Sequence, residues 1–152
     1  MRFLERPSGT AMKDWNVVIT VNDSEGFRKA RREFRRFGEV ETTDYHNVLV
    51  LRVPSPPKFA EQFSAVTEAD KSLLNYVSRV APAAVAFDFL SSGEFRGKAR
   101  STVLGWLAAL CGSSFHVRMH RRGFKSELAS PSVEQFLSDT ILSGSKERGC
   151  PG

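Results

Sequence analysis

The chain has few of the residues that mark disulfide-stabilised or metal-binding proteins. Its 152 residues include only two cysteines, Cys111 and Cys150, which are not spaced as a CxxC pair. Because two cysteines are too few for a disulfide framework, we interpret Cys111 as a buried thiol, Cys150 as part of a frayed tail, and the environment as reducing. No metal site is expected, since His116 and His120 lie too far apart to chelate one metal without a third ligand, and no nearby cysteine or acid supplies it.

Long apolar runs and catalytic motifs are also missing. No hydrophobic stretch approaches membrane-spanning length, and residues 1–7 lack the apolar core of a secretory signal. The sequence contains no Walker loop, no GxGxxG, no nucleophile elbow and no clustered acid/base pair. We therefore expect a cytoplasmic protein that is not an enzyme, uses no cofactor and does not bind a membrane.

What the chain does contain is material for an aromatic core and an excess of cations. Hydrophobic residues make up 41% of the chain, and 12 phenylalanines stand against two tyrosines and two tryptophans, so phenylalanine packing should dominate the interior. The formal net charge is +5. A basic chain of this kind favours a polyanionic partner such as nucleic acid.

The first half of the chain predicts a sandwich of helices on one side of an antiparallel sheet, which belongs to the α+β class. Period-two and period-3.6 hydrophobic patterns follow one another in the βαββαβ order of a ferredoxin-like unit. The helix from residue 58 loses its periodicity near 67–70, which indicates two shorter helices. The predicted elements are strand 15–21, helix 24–37, strand 39–44, strand 48–53, helix 58–77 and strand 83–90.

A second, smaller α/β unit is predicted after a flexible junction at residues 91–93. Its elements are a helix over 94–111, a basic strand, and a helix that Ser130 caps and Pro131 opens. We assign residues 13–90 to the ferredoxin-like domain and 91–142 to the second domain. Residues 1–12 and 143–152 are expected to be flexible termini.

The basic strand alternates strictly between apolar and cationic or cation-forming residues. Phe115, Val117 and Met119 fall on one face of an extended chain. The other face and the turn that follows supply a cationic edge for a polyanion, made of His116, Arg118, His120, Arg121, Arg122 and Lys125, with Gly123 permitting the turn. For the two histidines alone, a solvated strand face without a ligand is the favoured interpretation.

A second cationic cluster lies on the helix predicted over residues 24–37. Six cations accompany only two acids, Glu25 and Glu33. A charged helix face is often only a solvated face, and that alternative stays open. Two separated basic clusters nevertheless favour a phosphate-contacting surface, with Arg28, Arg32 and Arg35 as the helix residues chosen for it.

Residues 82–142 resemble a THUMP domain, the RNA-binding module shared by tRNA thiouridine synthases, methylases and pseudouridine synthases. The resemblance is carried by Arg79-Val80-Ala81-Pro82, by the pattern F-x-V-R-x-x-R-R-G over residues 115–123, and by the serine-capped helix at Ser130. Residues 15–80 resemble the ferredoxin-like domain that precedes THUMP in these families. The family's Val-Asp-Leu-x-x-Pro segment does not follow Leu142, so the THUMP-like half is incomplete, and a homodimer that completes its sheet is one hypothesis.

The resemblance implies binding to tRNA near its acceptor end, as a non-catalytic adaptor for a tRNA-modifying enzyme. It assigns phosphate contacts to Arg118, Arg121, Arg122 and Lys125, and the close turn to Gly123. The alternative hypothesis is a protein–protein interaction module for an acidic partner without RNA binding.

Overall fold

Helices and strands alternate along the chain much as the residue patterns predict. The computed structural model describes residues 4–5, 12, 14–121 and 127–151. Two units contain them: an N-terminal unit, Arg6–Ala86, and a C-terminal unit, Met1–Glu5 with Phe87–Gly152. The elements are β1 (Leu4–Glu5), β2 (Val17–Val21), α1 (Ser24–Glu33), β3 (Glu39–Thr42), β4 (Val48–Arg52), α2 (Pro56–Ala69), β5 (Val77–Pro82), β6 (Ala86–Phe87), α3 (Ser92–Gly105), α4 (Leu107–Leu110) and α5 (Ser130–Glu147), with 3₁₀ turns at Phe34–Arg36 and Lys71–Asn75.

The N-terminal unit is built on a four-stranded antiparallel sheet in the order β3-β4-β2-β5. Val17 lies opposite Leu51 on β4, and Ile19 lies opposite Val80 on β5. This order is the one that a βαββαβ chain produces in a ferredoxin-like sandwich. The predicted α+β class is therefore confirmed.

The strand predicted to be central is central. Val48 to Leu51 of β4 are all buried, whereas β2 buries alternate residues. A continuous apolar run suits a strand that is covered on both faces, and alternation suits one with a single covered face. The hydrophobic pattern alone thus distinguishes the two middle strands.

Phenylalanine rings join the two helices of this unit to each other and to the sheet. Phe34 and Ala30 are fully buried at the sheet-facing side of α1. The Phe34 ring lies 5.8 Å from that of Phe63 on α2, and the Phe37 ring lies 5.3 Å from that of Phe59. Offset and edge-to-face contacts at such distances add to the free energy of burial, which fixes the outward face of α1.

The last strand of the sheet lies earlier in the chain than predicted. The expected helix over 58–77 divides, as proposed, because the Asp70 carboxylate accepts the Ser72 N–H at 2.9 Å and starts a 3₁₀ turn. Val77–Pro82 then pairs with β2. The predicted strand over 83–90 is wrong, since only Ala86–Phe87 of it is extended, and this pair bonds to β1 instead.

The C-terminal unit buries one face of α3 against one face of α5. Phe95, Ala99 and Val103 of α3 pack with Val133 and Leu137 of α5 in one apolar cluster. The predicted serine cap is wrong by one residue: Ala129 precedes the helix, and no side chain caps it. Among the helices that the structure describes, none is both long enough and apolar enough to cross a membrane.

The stretch predicted to be a flexible C-terminal tail is ordered as far as Cys150. α5 continues to Glu147 because Gly144 is buried against α4, where a Cβ would lie 2.6 Å from the Leu107 side chain. Cys150 then forms a disulfide with Cys111, whose Cα lies 5.3 Å away. Cys111 is exposed and bonded rather than a buried thiol, so the argument from free thiols to a reducing compartment fails.

The predicted loose leader, residues 1–12, lies mostly outside the described residues. Of its described members, Leu4–Glu5 form β1. Met12 is buried, and its N–H donates to Glu41 Oε2 at 2.8 Å. The end of the leader is therefore attached to the edge strand β3.

Gly38 joins the end of the α1 region to β3 at a place where no side chain fits. A Cβ at this position would collide with the backbone carbonyl oxygen of Arg52, which the sheet holds in place. We expect Gly38→Ala to lower the free energy of unfolding by about 2 kcal/mol, measured by urea denaturation.

The control for this prediction is Gly97→Ala in α3, where an added Cβ meets no atom within 4 Å. This change should raise stability by about 0.5–1 kcal/mol, because alanine favours a helix over glycine. Equal effects of the two substitutions would contradict the described approach of Gly38 to β4.

Candidate nucleic-acid interface

The outward face of α1 is set by what its inward face buries. The helix begins at the Asp23 cap, whose carboxylate accepts the Gly26 N–H at 2.7 Å. A Cβ on Gly26 would lie 2.8 Å from Tyr76 Cβ, so glycine lets the first turn approach the residue before β5 closely. With Gly26, Ala30 and Phe34 buried and Phe27 partly buried against the same core, the arginines between them face solvent.

Three arginines lie on that outward face of α1, and Arg35 of the 3₁₀ turn that follows continues their row. Positions 31, 32 and 35 follow position 28 by three, four and seven residues, which is the spacing that aligns side chains along one side of a helix. All four are exposed, and a rise of 1.5 Å per residue spreads them over about 10 Å. We call this set, Arg28, Arg31, Arg32 and Arg35, the arginine stripe.

Most of the guanidinium groups of the stripe are not engaged by carboxylates. Arg28, Arg31 and Arg35 form no ion pair or hydrogen bond with any side chain that the structure describes. Arg32 Nε lies 3.2 Å from Glu33 Oε1, and its side chain is 74% exposed. Such an exposed pair stabilises by less than about 1 kcal/mol and leaves the Arg32 charge accessible.

The two acidic residues of α1 pair mainly with cations beside the arginine stripe. Glu33 accepts from Arg36 and from Arg32, and these hydrogen bonds hold the pKa of the Glu33 carboxyl below its usual value. Glu25 pairs with Lys29 at 2.8 Å. The carboxylates thus neutralise Lys29 and Arg36 at the side of the helix, and the stripe keeps its positive charge.

A groove of about 410 Å³ runs beside the stripe on the side of Lys29 and Arg36, and Asp70, Ser72 and Tyr76 line its far wall. Burial raises the pKa of the Tyr76 hydroxyl, so it stays protonated and can donate. The groove holds the acids Glu33 and Asp70 as well as cations. Its charge is therefore mixed, unlike that of the stripe.

The predicted basic strand of the C-terminal unit is not a strand over its described residues. Residues 114–121 form no ladder, although their side chains alternate as predicted. Val117 is buried, and Phe115 and Met119 are partly buried against the α3–α5 cluster. His116, Arg118 and His120 are exposed. The alternation predicted the facing of the side chains correctly and the hydrogen bonding wrongly.

The cationic side chains around this segment differ in how exposed they are to a ligand. Arg118 Nη1 lies 3.9 Å from Glu134 Oε2, and its side chain is 62% exposed. Arg121 is half-buried and donates from Nη1 to the Leu128 carbonyl at 2.5 Å, so it helps to hold the chain rather than forming an open contact point. Arg122, Gly123 and Lys125 lie outside the described residues.

Of the predicted site residues, the structure brings together Arg28 and Arg32 of α1 and Arg35 of the 3₁₀ turn that follows, and it adds Arg31 to them. Arg31 was recognised as cationic but was not chosen as a site residue. Its spacing of three from Arg28 and four from Arg35 is the signal that could have included it.

The four-stranded sheet offers no aromatic platform for bases, and the described residues form no metal-binding group. None of the four described strands of the sheet carries an aromatic residue. Within the described ranges there is no group of three or more His, Cys, Asp or Glu side chains that could hold a metal ion. The stripe is therefore suited to charge-based binding of an anion.

Comparison of the chain with protein-family models, with curated proteins and with solved structures finds no match.

Proposed function

We propose that this protein binds RNA, with tRNA as its substrate class, through the phosphate backbone and the arginine stripe. The observation that carries the proposal is the set of exposed guanidinium groups on α1, three of which have no partner among the described side chains. Double-stranded nucleic acid presents about one phosphate charge per 1.7 Å of axis. A stripe of about 10 Å therefore faces several phosphates at once.

A rigid helix makes such a stripe effective. α1 is held by the fully buried Ala30 and Phe34 and by the Asp23 cap. Because the backbone is already ordered, only side-chain freedom is lost on binding, and a guanidinium fork matches the geometry of a phosphate. Counterion release should supply most of the affinity.

The choice of tRNA and the role of an adaptor rest on the THUMP resemblance of residues 82–142. The chain itself performs no chemistry on the RNA. It presents the RNA to a separate modifying enzyme.

A competition series tests the proposal against simple polyanion binding. Fluorescence anisotropy at about 0.15 M salt should be recorded with tRNA, with duplex DNA of equal phosphate number and with heparin. We expect tRNA to bind at least about tenfold more tightly than the duplex, since a specific nucleic-acid protein exceeds its own non-specific affinity by much more than that.

Equal affinity for all three polyanions would contradict RNA recognition. It would favour the alternative of a protein that recognises acidic partners by charge alone. The same assay with heat-unfolded tRNA is the control for RNA structure, and its affinity should fall toward that of the duplex.

A further inference from the structure

One segment of the C-terminal unit, residues 114–118, alternates exposed side chains with buried or partly buried ones, as an extended chain does. No hydrogen bond joins the main chain of residues 114–118 to any residue that the structure describes. The next residue, Met119, donates its N–H to Glu134 Oε1 at 2.8 Å. Unpaired backbone groups in succession are uncommon in folded chains and indicate a place where a partner can add.

The segment is nevertheless fixed in place along one side. Val117 is 8% exposed and packs in the α3–α5 cluster, with Phe115 and Met119 against the same cluster. Glu134 of α5 holds it further, through the Met119 N–H and the neighbouring Arg118. The backbone is thus presented in an extended form before any partner arrives, which lowers the entropy cost of binding.

The two edges of the segment carry different backbone groups. In an extended chain the N–H and C=O groups of alternate residues point to opposite edges. The Met119 N–H points toward Glu134, so the backbone groups of His116 and Arg118 point to the other edge. Both of these residues are exposed.

We propose that residues 114–118 form a docking edge for an extended peptide of a partner protein, which adds to them as a β-strand. The edge supplies main-chain hydrogen bonds, as in other cases of strand addition. The side chains of His116 and Arg118 stand beside the incoming strand. The peptide is therefore one that carries acidic residues at alternate positions, because opposite charges on neighbouring strands stabilise the pair.

A second copy of this chain fits the edge poorly. Antiparallel pairing of two copies about Val117 would set His116 of one copy opposite Arg118 of the other, twice per pair. Such a pair sets no carboxylate beside Arg118, whereas an acidic peptide does, and opposite charges on neighbouring strands stabilise the pair. Charge thus favours an acidic peptide over self-association.

This docking edge is separate from the arginine stripe and does not depend on RNA binding. It gives an RNA-binding chain a means of holding a partner protein. The recognised feature is an acidic extended segment of that partner.

Amide hydrogen exchange of the full-length protein tests the proposal. The probe is a capped ten-residue peptide of alternating glutamate and valine. In the free protein the amides of His116 and Arg118 should exchange nearly as fast as in an unfolded chain. At saturating peptide their exchange should slow at least tenfold, while the amides of α5 stay unchanged.

Three results would overturn the proposal: no slowing at any peptide concentration, equal slowing by an alternating lysine–valine peptide, or slowing by single-stranded RNA alone. Slowing in the free protein that grows with protein concentration would also overturn it, in favour of a second copy.

Two variants test whether the positive charge of Arg118 contributes to peptide binding. Arg118→Gln should weaken binding of the glutamate–valine peptide at least fivefold, and Arg100→Gln should leave it unchanged, since Arg100 is an exposed residue of α3 away from this segment in sequence. Unchanged exchange rates for the core amides of α5 in both variants confirm that they are folded. Equal peptide affinity for the two variants would contradict the assigned partner chemistry.

Discussion

Replacing Arg28 and Arg35 together with glutamate should weaken tRNA binding about a hundredfold. Each of these guanidinium groups is exposed and lacks a partner among the described side chains. Loss of a charge-assisted hydrogen bond costs about 1.5–3 kcal/mol, so two lost contacts account for a change of this size. Equilibrium titration by fluorescence anisotropy at fixed salt measures it.

The matched control is Arg100→Glu with Lys146→Glu, which changes the net charge by the same amount at two exposed positions of the C-terminal unit. It should weaken binding by no more than a few-fold, since neither residue belongs to the arginine stripe and a charge that makes no direct contact acts only through the screened field. Far-ultraviolet circular dichroism should be unchanged in both variants. Similar losses in the two double variants would show that net charge, and not the arginine stripe, controls affinity.

Removal of the Cys111–Cys150 disulfide should be the most destabilising single change in the C-terminal unit. The bond joins the residue after α4 to the chain beyond α5 across 39 positions. For a loop of this length, the chain-entropy model gives a loss of about 4 kcal/mol in the free energy of unfolding. Cys150→Ser and treatment with a dithiol reductant should have the same effect.

Tryptophan fluorescence separates the two units in this experiment. Trp15 lies in the N-terminal unit and Trp106 in the C-terminal unit. In a Trp15→Phe background, urea unfolding followed through Trp106 should shift to lower urea on reduction. The urea midpoint could instead be the same with and without reductant, and the same as the midpoint of Cys150→Ser. That result would contradict a stabilising disulfide.

The N-terminal unit could be predicted from the sequence as far as β4 because its signals there are local and agree with one another, whereas the last strand, predicted at 83–90, lies at Val77–Pro82. The phenylalanines at 27, 34 and 37 repeat at helical spacing, and the run from Val48 is apolar on both faces. Each pattern has one structural solution with a covered core, so strand order followed from the order of the elements. The arginine stripe is the complement of that phenylalanine face and could be predicted with it.

The C-terminal unit could not be predicted to the same extent because its decisive interactions are distant in sequence. Alternation at Phe115, Val117 and Met119 determines which way the side chains face, but a strand also needs a partner edge, and the pattern contains no information about one. The pairing of two cysteines 39 positions apart likewise depends on the path of the intervening chain.

The predicted flexibility of residues 143–152 is wrong for a related reason. Residues from Ser143 onward have the composition of a disordered end, yet the helix continues because Gly144 lets α5 approach Leu107 of α4. A glycine in a predicted tail indicates flexibility when read alone. Only its neighbour in space shows that it is a packing contact.

The salt dependence of tRNA affinity tests most directly whether the arginine stripe contacts phosphates. The logarithm of the binding constant should fall linearly with the logarithm of the salt concentration, by about 0.7–0.9 per phosphate contact. Arg28→Gln with Arg35→Gln should therefore reduce the magnitude of this slope by about 1.4–1.8 relative to the unaltered protein. An unchanged slope in that variant would contradict phosphate contacts by α1.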